Sequence, residues 1–185
     1  MDYRVSNIHD ELIARCRKGD PRAFRRLYEL YSKAMYNTAL RITGNGDDAT
    51  DVLQEAFISA FDNLDRYRQD ATFGSWLKRI VINKAINHIR KRRTVPLPED
   101  AEWDVPEEPE IEIETGEGTV KRIRDAIEQL PDGYRTVLTL YLMEGYDHQE
   151  IGEIMGISVS TSKSQLNRAK ARLKEILTTR HETET

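Results

Sequence analysis

Apolar residues recur every three to four positions through most of this chain, and Gly, Pro and Asn interrupt the pattern at intervals. That period predicts helices, each with one buried stripe. A first helix is predicted over Ile8–Lys18, with Ser6 or Asn7 as its cap. Gly19-Asp20-Pro21 breaks it: Asp20 is placed to cap the next helix and Pro21 to sit in its first turn. That second helix covers about Arg22–Thr43, with Phe24, Leu27, Tyr28, Tyr31, Met35 and Leu40 as its core stripe. Asn45-Gly46 ends it, and Asp47 reads as the cap of a third helix reaching Leu64. Leu53, Ala56, Phe57, Ala60 and Leu64 form the inner stripe of that helix, while Asp51, Gln54, Glu55, Ile58 and Asp62 share its outer side. Single exposed apolar residues are common. An acidic face with an apolar centre is nevertheless what a docking surface for a basic protein helix requires.

Thr72–Arg93 reads as one long helix capped by Thr72. In its first half Phe73, Trp76, Leu77 and Ile80 share one side; in its second half Ile82, Ala85, Ile86 and Ile89 lie nearly opposite. Across from the second set stand Asn83, Lys84, Asn87, Arg90 and Lys91. Lys and Arg there would neutralise phosphates, and Asn could pair with a base edge. The competing reading is a solvated basic face whose cations suit a helix C-terminus. The preceding segment, Asp65–Ala71, is polar and too short for an element. Its Tyr67 and Arg68, with Arg66, could hold an unstacked base, or the segment could simply connect two helices.

After residue 118 the helical pattern resumes over Val120–Gln129. Leu130-Pro131-Asp132 breaks it, and Asp132 is expected to cap a helix carrying Tyr134, Val137, Leu138, Leu140, Tyr141 and Leu142. Gly145-Tyr146-Asp147 is a second break. His148–Met155 is a short helix burying Ile151, Ile154 and Met155. Gly156-Ile157-Ser158 is a tight turn, and Ser158 caps a helix to about Thr179 that buries Leu166, Ala169, Leu173, Ile176 and Leu177. The far side of that last helix presents Lys163, Ser164, Asn167, Arg168, Ala171 and Lys174. A short helix with Glu150 and Glu153, a glycine turn and a second helix with a small, polar, basic face is the helix-turn-helix pattern. A plain helical hairpin is the alternative.

Charge changes the picture only when it is divided along the chain. The 185 residues carry a net −4, the wrong sign for a nucleic-acid binder. Residues 1–93, however, hold 18 Lys and Arg against 12 Asp and Glu; residues 94–118 hold ten acids and no base; residues 119–185 hold ten of each sign. At a screening length of about 8 Å, local fields outweigh that total. The 94–118 segment also contains Pro96, Pro98, Pro106 and Pro109. It is expected to be an extended, self-repelling acidic linker between domains 1–93 and 119–185; Trp103, Ile111 and Ile113 could be contact points for a partner, or the segment could be simply a solubilising spacer. No apolar run approaches the ~18 residues that cross a bilayer, so no membrane insertion is expected. The single Cys16 excludes an internal disulfide, and the chain reads as cytoplasmic. The four histidines show no metal-site spacing, and no phosphate loop or nucleophile motif occurs. No catalytic residue, metal or cofactor is therefore expected. The fold class is all-α: two small helical domains on one acidic tether.

Three stretches carry a resemblance over nearly the whole length. Asp47-Asp48-Ala49-Thr50-Asp51-Val52-Leu53-Gln54-Glu55-Ala56-Phe57 resembles the polymerase-docking motif of the bacterial extracytoplasmic-function (ECF, group IV) sigma factors of the sigma-70 family. Phe73-Gly74-Ser75-Trp76-Leu77, followed by Ile80, Asn83 and the Arg-rich end, is similar to that family's promoter-melting and −10-reading helix. Leu130-Pro131, then Glu150-Ile151-Gly152-Glu153-Ile154-Met155-Gly156-Ile157-Ser158 and Lys163-Ser164, are similar to its −35-reading helix-turn-helix. The resemblance implies a sigma region 2-like bundle and a region 4-like domain. It implies that Asp51, Gln54, Glu55 and Ile58 dock on the β′ clamp of core RNA polymerase. It further implies that Tyr67 and Arg68 capture a flipped −10 base while Asn83, Lys84, Asn87, Arg90 and Lys91 hold −10 DNA. Lys163, Ser164, Asn167 and Arg168 would enter the −35 major groove. The implied partners are core polymerase (β′ clamp and β flap) and promoter DNA, with an anti-sigma factor left open; the linker would thread the RNA-exit path. Four departures flank the expected reading face: Gly152 where Ala is usual, Ser160 where Gly is, Ser162 for a β-branched residue and Gln165 for Arg. Two rival functions fit the same residues less fully. A helix-turn-helix regulator acting without polymerase would not need the Asp51/Gln54/Glu55 face. A helical interaction adaptor would not need Lys163 and Arg168.

Overall fold

The computed structural model describes residues 8–92 and 119–183, and every regular element among them is helical. The expected caps Ser6 and Asn7, and the acidic segment with Trp103, Ile111 and Ile113, lie outside the described residues. The chain divides into two compact units, residues 1–88 and 89–185.

In the first unit α1 spans Ile8–Arg17, α2 Pro21–Thr43 and α3 Gly46–Asp62, with a 3-10 turn at Leu64–Arg66; α4, Phe73–Arg92, begins in it and runs past the division at residue 88. Asp20 caps α2 as expected: its carboxylate accepts from the Arg22 amide at 2.9 Å, and Pro21 opens the helix where no amide partner is needed. Arg15 grips the same carboxylate at 2.8 Å. The α2–α3 junction departs from the expectation. Gly44 closes α2, and Asn45, not Asp47, is the cap of α3: its Oδ1 accepts from both the Asp47 and Asp48 amides. That leaves Asp47 and Asp48 in the first turn, where negative charge meets the positive end of the helix dipole.

The α2 core also differs from the expected stripe. Leu27 and Met35 are buried, but so are Ala23, Thr38, Ala39 and Ile42, while Phe24, Tyr31 and Leu40 are half-buried and Tyr28 is 41% exposed. Small residues let α2 approach α3 closely, and the larger rings stack along its margin. Phe24 meets Phe61 edge-on at 4.8 Å, and Tyr28 tilts onto Phe57 at 4.8 Å. In α4 the two apolar sets join into one stripe through Val81, which is fully buried; Trp76 and Ile80 are only half-buried at its margin. Thr72 caps α4, its hydroxyl accepting from the Ser75 amide at 3.2 Å.

In the second unit α5 spans Thr119–Glu128, α6 Asp132–Leu138, α7 His148–Met155 and α8 Val159–Thr183; α6 continues as a wider π-helical turn over Thr139–Met143. The long α8 is the spine against which α5, α6 and α7 pack. Pro131 rather than Asp132 occupies the cap position of α6, with no side-chain bond there. Asp132 instead binds Arg135 at 2.5 Å. Arg135 is 4% exposed, and its Nη1 donates to the carbonyls of Leu130 at 2.7 Å and Glu128 at 3.3 Å. It thus satisfies acceptors left over at the end of α5. Nothing in the apolar pattern marks Arg135 as a core residue. The widened turn buries Thr139 and Leu140 and leaves Tyr141, Leu142 and Met143 exposed, which shortens the expected α6 stripe.

Candidate polymerase-docking and promoter-DNA surfaces

On α3, burial of Val52, Leu53, Ala56, Phe57 and Ala60 fixes which side faces out. Asp51, Gln54, Glu55 and Ile58 are all exposed on that outer side, while Asp62 is exposed at the helix end. Ile58 is 62% exposed in the middle of them. The geometry is an apolar point ringed by carboxylates, held rigidly because the opposite stripe is packed. Two of the acids along α3 are tied to α4. Glu55 meets Lys84 at 3.7 Å, and Asp48 meets His88 at 3.1 Å.

On α4, Asn83, Asn87, Arg90 and Lys91 are exposed and Lys84 is half-buried, opposite the buried Ile82, Ala85 and Ile86. The expected row of Asn and cationic groups is thus one continuous surface. The loop before it is different. Arg68 is exposed, but Tyr67 is 4% exposed, with its ring against Phe73 and Trp76 and its hydroxyl donating to the Ala71 carbonyl at 2.8 Å. The ring expected at the surface is committed to the interior, because the loop is too short to carry its own core and borrows one from α4. Beyond Arg68, the loop exposes Gln69 and Asp70. Gln69 stands at φ 63, a left-handed conformation rare for a residue with a side chain.

The helix-turn-helix forms where expected. Asp147 and Glu150 make a reciprocal capping box at the start of α7. Gly156 ends α7 in the left-handed region at φ 65, a conformation that costs a side-chain-bearing residue more. Ser158 caps α8 through the Thr161 amide at 3.0 Å. Lys163 is exposed, while Ser164, Asn167 and Arg168 are half-buried or intermediate along one flank; the Ser164 hydroxyl donates to the Thr161 carbonyl at 3.0 Å. The departures do not all lie beside this face. Ser160 is exposed, but Ser162 and Gln165 are buried on the inner side, and Gly152 is buried beneath the turn. Ser162 faces His148, whose Nδ1 lies 2.9 Å from its hydroxyl and whose ring stacks on Tyr141 at 4.7 Å. Burial, together with nearby Lys163, holds the His148 imidazole below the usual histidine range.

Among the described residues no helix is long and apolar enough to cross a membrane, and no group of His, Cys, Asp and Glu could hold a metal ion. Arg135, His148 and the inward role of Tyr67 are what sequence reasoning misses. For Tyr67 a signal exists in Phe73 and Trp76, which supply rings within reach of it; the other two carry no signal of spacing.

Known proteins bear out the resemblance. A family model described as Sigma-70 region 2 matches residues 27–95, and one described as Sigma-70, region 4 matches residues 120–173. The RNA polymerase sigma-H factor of Pseudomonas aeruginosa is 34% identical over 178 residues, 90% of this chain and 92% of that protein. The ECF RNA polymerase sigma factor SigW of Bacillus subtilis is 32% identical over 180 residues, covering 89% and 94%. Among solved structures, CnrH in complex with the cytosolic domain of CnrY matches with a TM-score of 0.53 and 26% identity, over 91% of this chain and 96% of that one. With both family regions in order and near-full-length relatives above 30% identity, the chain belongs to the extracytoplasmic-function RNA polymerase sigma factors of the sigma-70 family.

Proposed function

We propose that this sigma factor acts as a non-enzymatic specificity subunit in the cytoplasm, in which residues 1–93 dock on core polymerase and read the −10 element and residues 119–185 read the −35 element. The observation that carries the docking role is Ile58, 62% exposed yet ringed by Asp51, Gln54 and Glu55 on a helix whose other side is packed. A basic helix of the β′ clamp would cover the isoleucine and pair with the acids, which gives an apolar core with a charged rim. Asn83, Lys84, Asn87, Arg90 and Lys91 would hold the upstream −10 DNA, with Arg68 at the loop. Lys163, Ser164, Asn167 and Arg168 would enter the −35 groove, the β flap supporting that domain. The polymerase would fix the spacing of the two domains, so that two weak DNA contacts add through effective concentration. Melting would follow from trapping an unstacked base, at an unpairing cost of a few kcal/mol. The acidic 94–118 segment would compete for the cationic faces until polymerase engages it. An anti-sigma factor is a further partner of the kind that the sigma factor RpoE of Bartonella quintana has in its complex with the anti-sigma factor NepR.

The test uses purified full chain, core polymerase and a randomised promoter library. Wild type should co-elute with core enzyme and start transcripts at a shared −10/−35 pattern. Asp51→Lys with Glu55→Lys should abolish co-elution without loss of helicity, since both side chains are exposed. Unchanged co-elution of that double variant would reject the docking assignment and favour a helix-turn-helix regulator acting alone.

A further inference from the structure

We propose that Arg17 is a positioning residue for the Asp65–Ala71 loop: together with Tyr67 it clamps the loop from behind, in the shape that presents Arg68 and Gln69 to an unpaired base. The inference rests on the −10 role proposed above and adds to it a device in α1, outside every stretch that carries the family resemblance.

The clamp has two ends. At one, Arg17 in the last turn of α1 sends Nη2 to the Tyr67 carbonyl at 2.7 Å and to the Leu64 carbonyl at 3.4 Å. One guanidinium therefore ties both ends of the 3-10 turn Leu64–Arg66 to α1. At the other, the Tyr67 hydroxyl donates to the Ala71 carbonyl at 2.8 Å and closes the loop on itself. The Tyr67 ring is wedged between Phe73, nearly perpendicular at 5.6 Å, and Trp76 at 5.3 Å, so the anchor is set against the start of α4. Burial, with Asp10 and Asp70 adding to it, pushes the Tyr67 phenol up, so the proton that it donates stays in place at neutral pH.

What lies between the two ends is exposed: Arg68, Gln69 and Asp70. Gln69 holds φ 63 and is the one non-glycine residue with positive φ among the described residues. A residue with a side chain persists in that region only where its surroundings over-determine it. Here those surroundings are the bonds at Tyr67 on one side and Ala71 on the other. Without them the loop would relax, and it would have to be reordered each time a base was captured. A preformed loop avoids that entropic cost, and a more expensive capture is felt most when the same base must also be unpaired.

The experiment uses the full chain with core polymerase on a promoter recovered from a randomised library. That promoter is prepared both as a perfect duplex and with its −10 segment held open by mismatches. Arg17→Ala should slow open-complex formation on the duplex by about tenfold, the scale of one lost charge-assisted bond, and should recover most of that loss on the mismatched template. Tyr67→Phe, which keeps the ring packing and removes only the hydroxyl, should show the same pattern more weakly. Arg17→Lys should fall between wild type and Arg17→Ala, because an ammonium keeps the charge but ends one bond short of the Nη2 position that makes both contacts. Co-elution with core polymerase should stay at the wild-type level in all three. Wild-type opening rates for Arg17→Ala and Tyr67→Phe would overturn the inference and leave the −10 reading standing. Equal losses on both templates, or loss of polymerase binding in step with loss of opening, would overturn it by showing that Arg17 only stabilises the fold. If wild type itself starts no transcripts, the −10 reading falls and takes the clamp's role with it.

Discussion

Replacing Gly152 by Ala sets two terms of opposite sign against each other inside the helix-turn-helix. Gly152 sits in α7 with its carbonyl accepting from the Gly156 amide and, at 3.0 Å, from the Ile157 amide. A Cβ at this position would lie 2.8 Å from the Ile157 carbonyl oxygen, whereas ordinary contact begins near 3.4 Å. The atom in the way is backbone, so no side chain can rotate aside. The turn would have to move outward, yet it is pinned to the same residue by two hydrogen bonds. Against this, Ala is favoured over Gly in a helix by about 1 kcal/mol. Overpacking a closed site costs about 1–3 kcal/mol, and about 2 kcal/mol is expected where backbone must yield by a few tenths of an ångström. The net expectation is a loss of about 1 kcal/mol, or roughly fivefold more frequent opening of the α7–α8 turn. Amide hydrogen exchange measures this directly: α7 and the first turns of α8 should exchange about fivefold faster, with α2 and α3 as an unchanged internal reference. Unchanged or slower exchange in α7 would refute the reasoning. It would mean that the turn yields more cheaply than its backbone contact implies.

Other consequences follow from the second unit. Arg135→Met should destabilise by about 3 kcal/mol, because it removes the buried donor that the Leu130 and Glu128 carbonyls and the Asp132 carboxylate share. An unfolding free energy from denaturant titration that falls by less than a third of that would show the guanidinium to be replaceable by bulk. The depressed His148 pKa means that the unfolded chain binds the extra proton more readily. Its contribution to stability is therefore complete above the ordinary value of 6.5 and is lost as pH falls below it towards the folded value. The thermal midpoint should thus rise with pH through that window in wild type and flatten in His148→Phe; identical slopes in the two would refute this.

The sequence carries the helices of this chain because their signals are local. Asp20-Pro21, Thr72, Asp147 with Glu150, and Ser158 each contact amides within three residues, so a cap can be read without knowledge of the fold. The outer face of α3 is legible for the same reason: a stripe of Leu, Ala and Phe at helical spacing dictates what points away from it. What cannot be read depends on neighbours distant in the chain. Tyr28 has the spacing of a core residue, but the approach of α2 to α3 is made by alanines, and the tyrosine is left at the margin. Tyr67 has the setting of an exposed loop aromatic, yet α4 places Phe73 and Trp76 against it and α1 places Arg17 behind it. Ser162 and Gln165 stand in sequence beside the expected reading face, but the packing of α8 against α7 turns both inward. The choice between Asn45 and Asp47 is narrower, because both residue types cap helices and they stand two positions apart.

The surfaces proposed for docking and for DNA meet at one point, Glu55 with Lys84, and the strength of that contact decides whether they can be treated separately. The two side chains are 57% and 36% exposed and 3.7 Å apart. Pairs in that regime contribute about 0–1 kcal/mol, screened further by salt. Releasing Glu55 to a basic partner could therefore alter the DNA affinity of Lys84 by at most about fivefold. Reversal of Asp51 and Glu55 should reduce transcription by far more than that, through lost recruitment. A residual effect of more than about fivefold on DNA binding by the recruited fraction would require a route that this ion pair is too weak to supply. The structure offers the Asp48–His88 contact at 3.1 Å as the next link between the same two helices. An Asp48→Asn variant would show whether that contact carries the remainder.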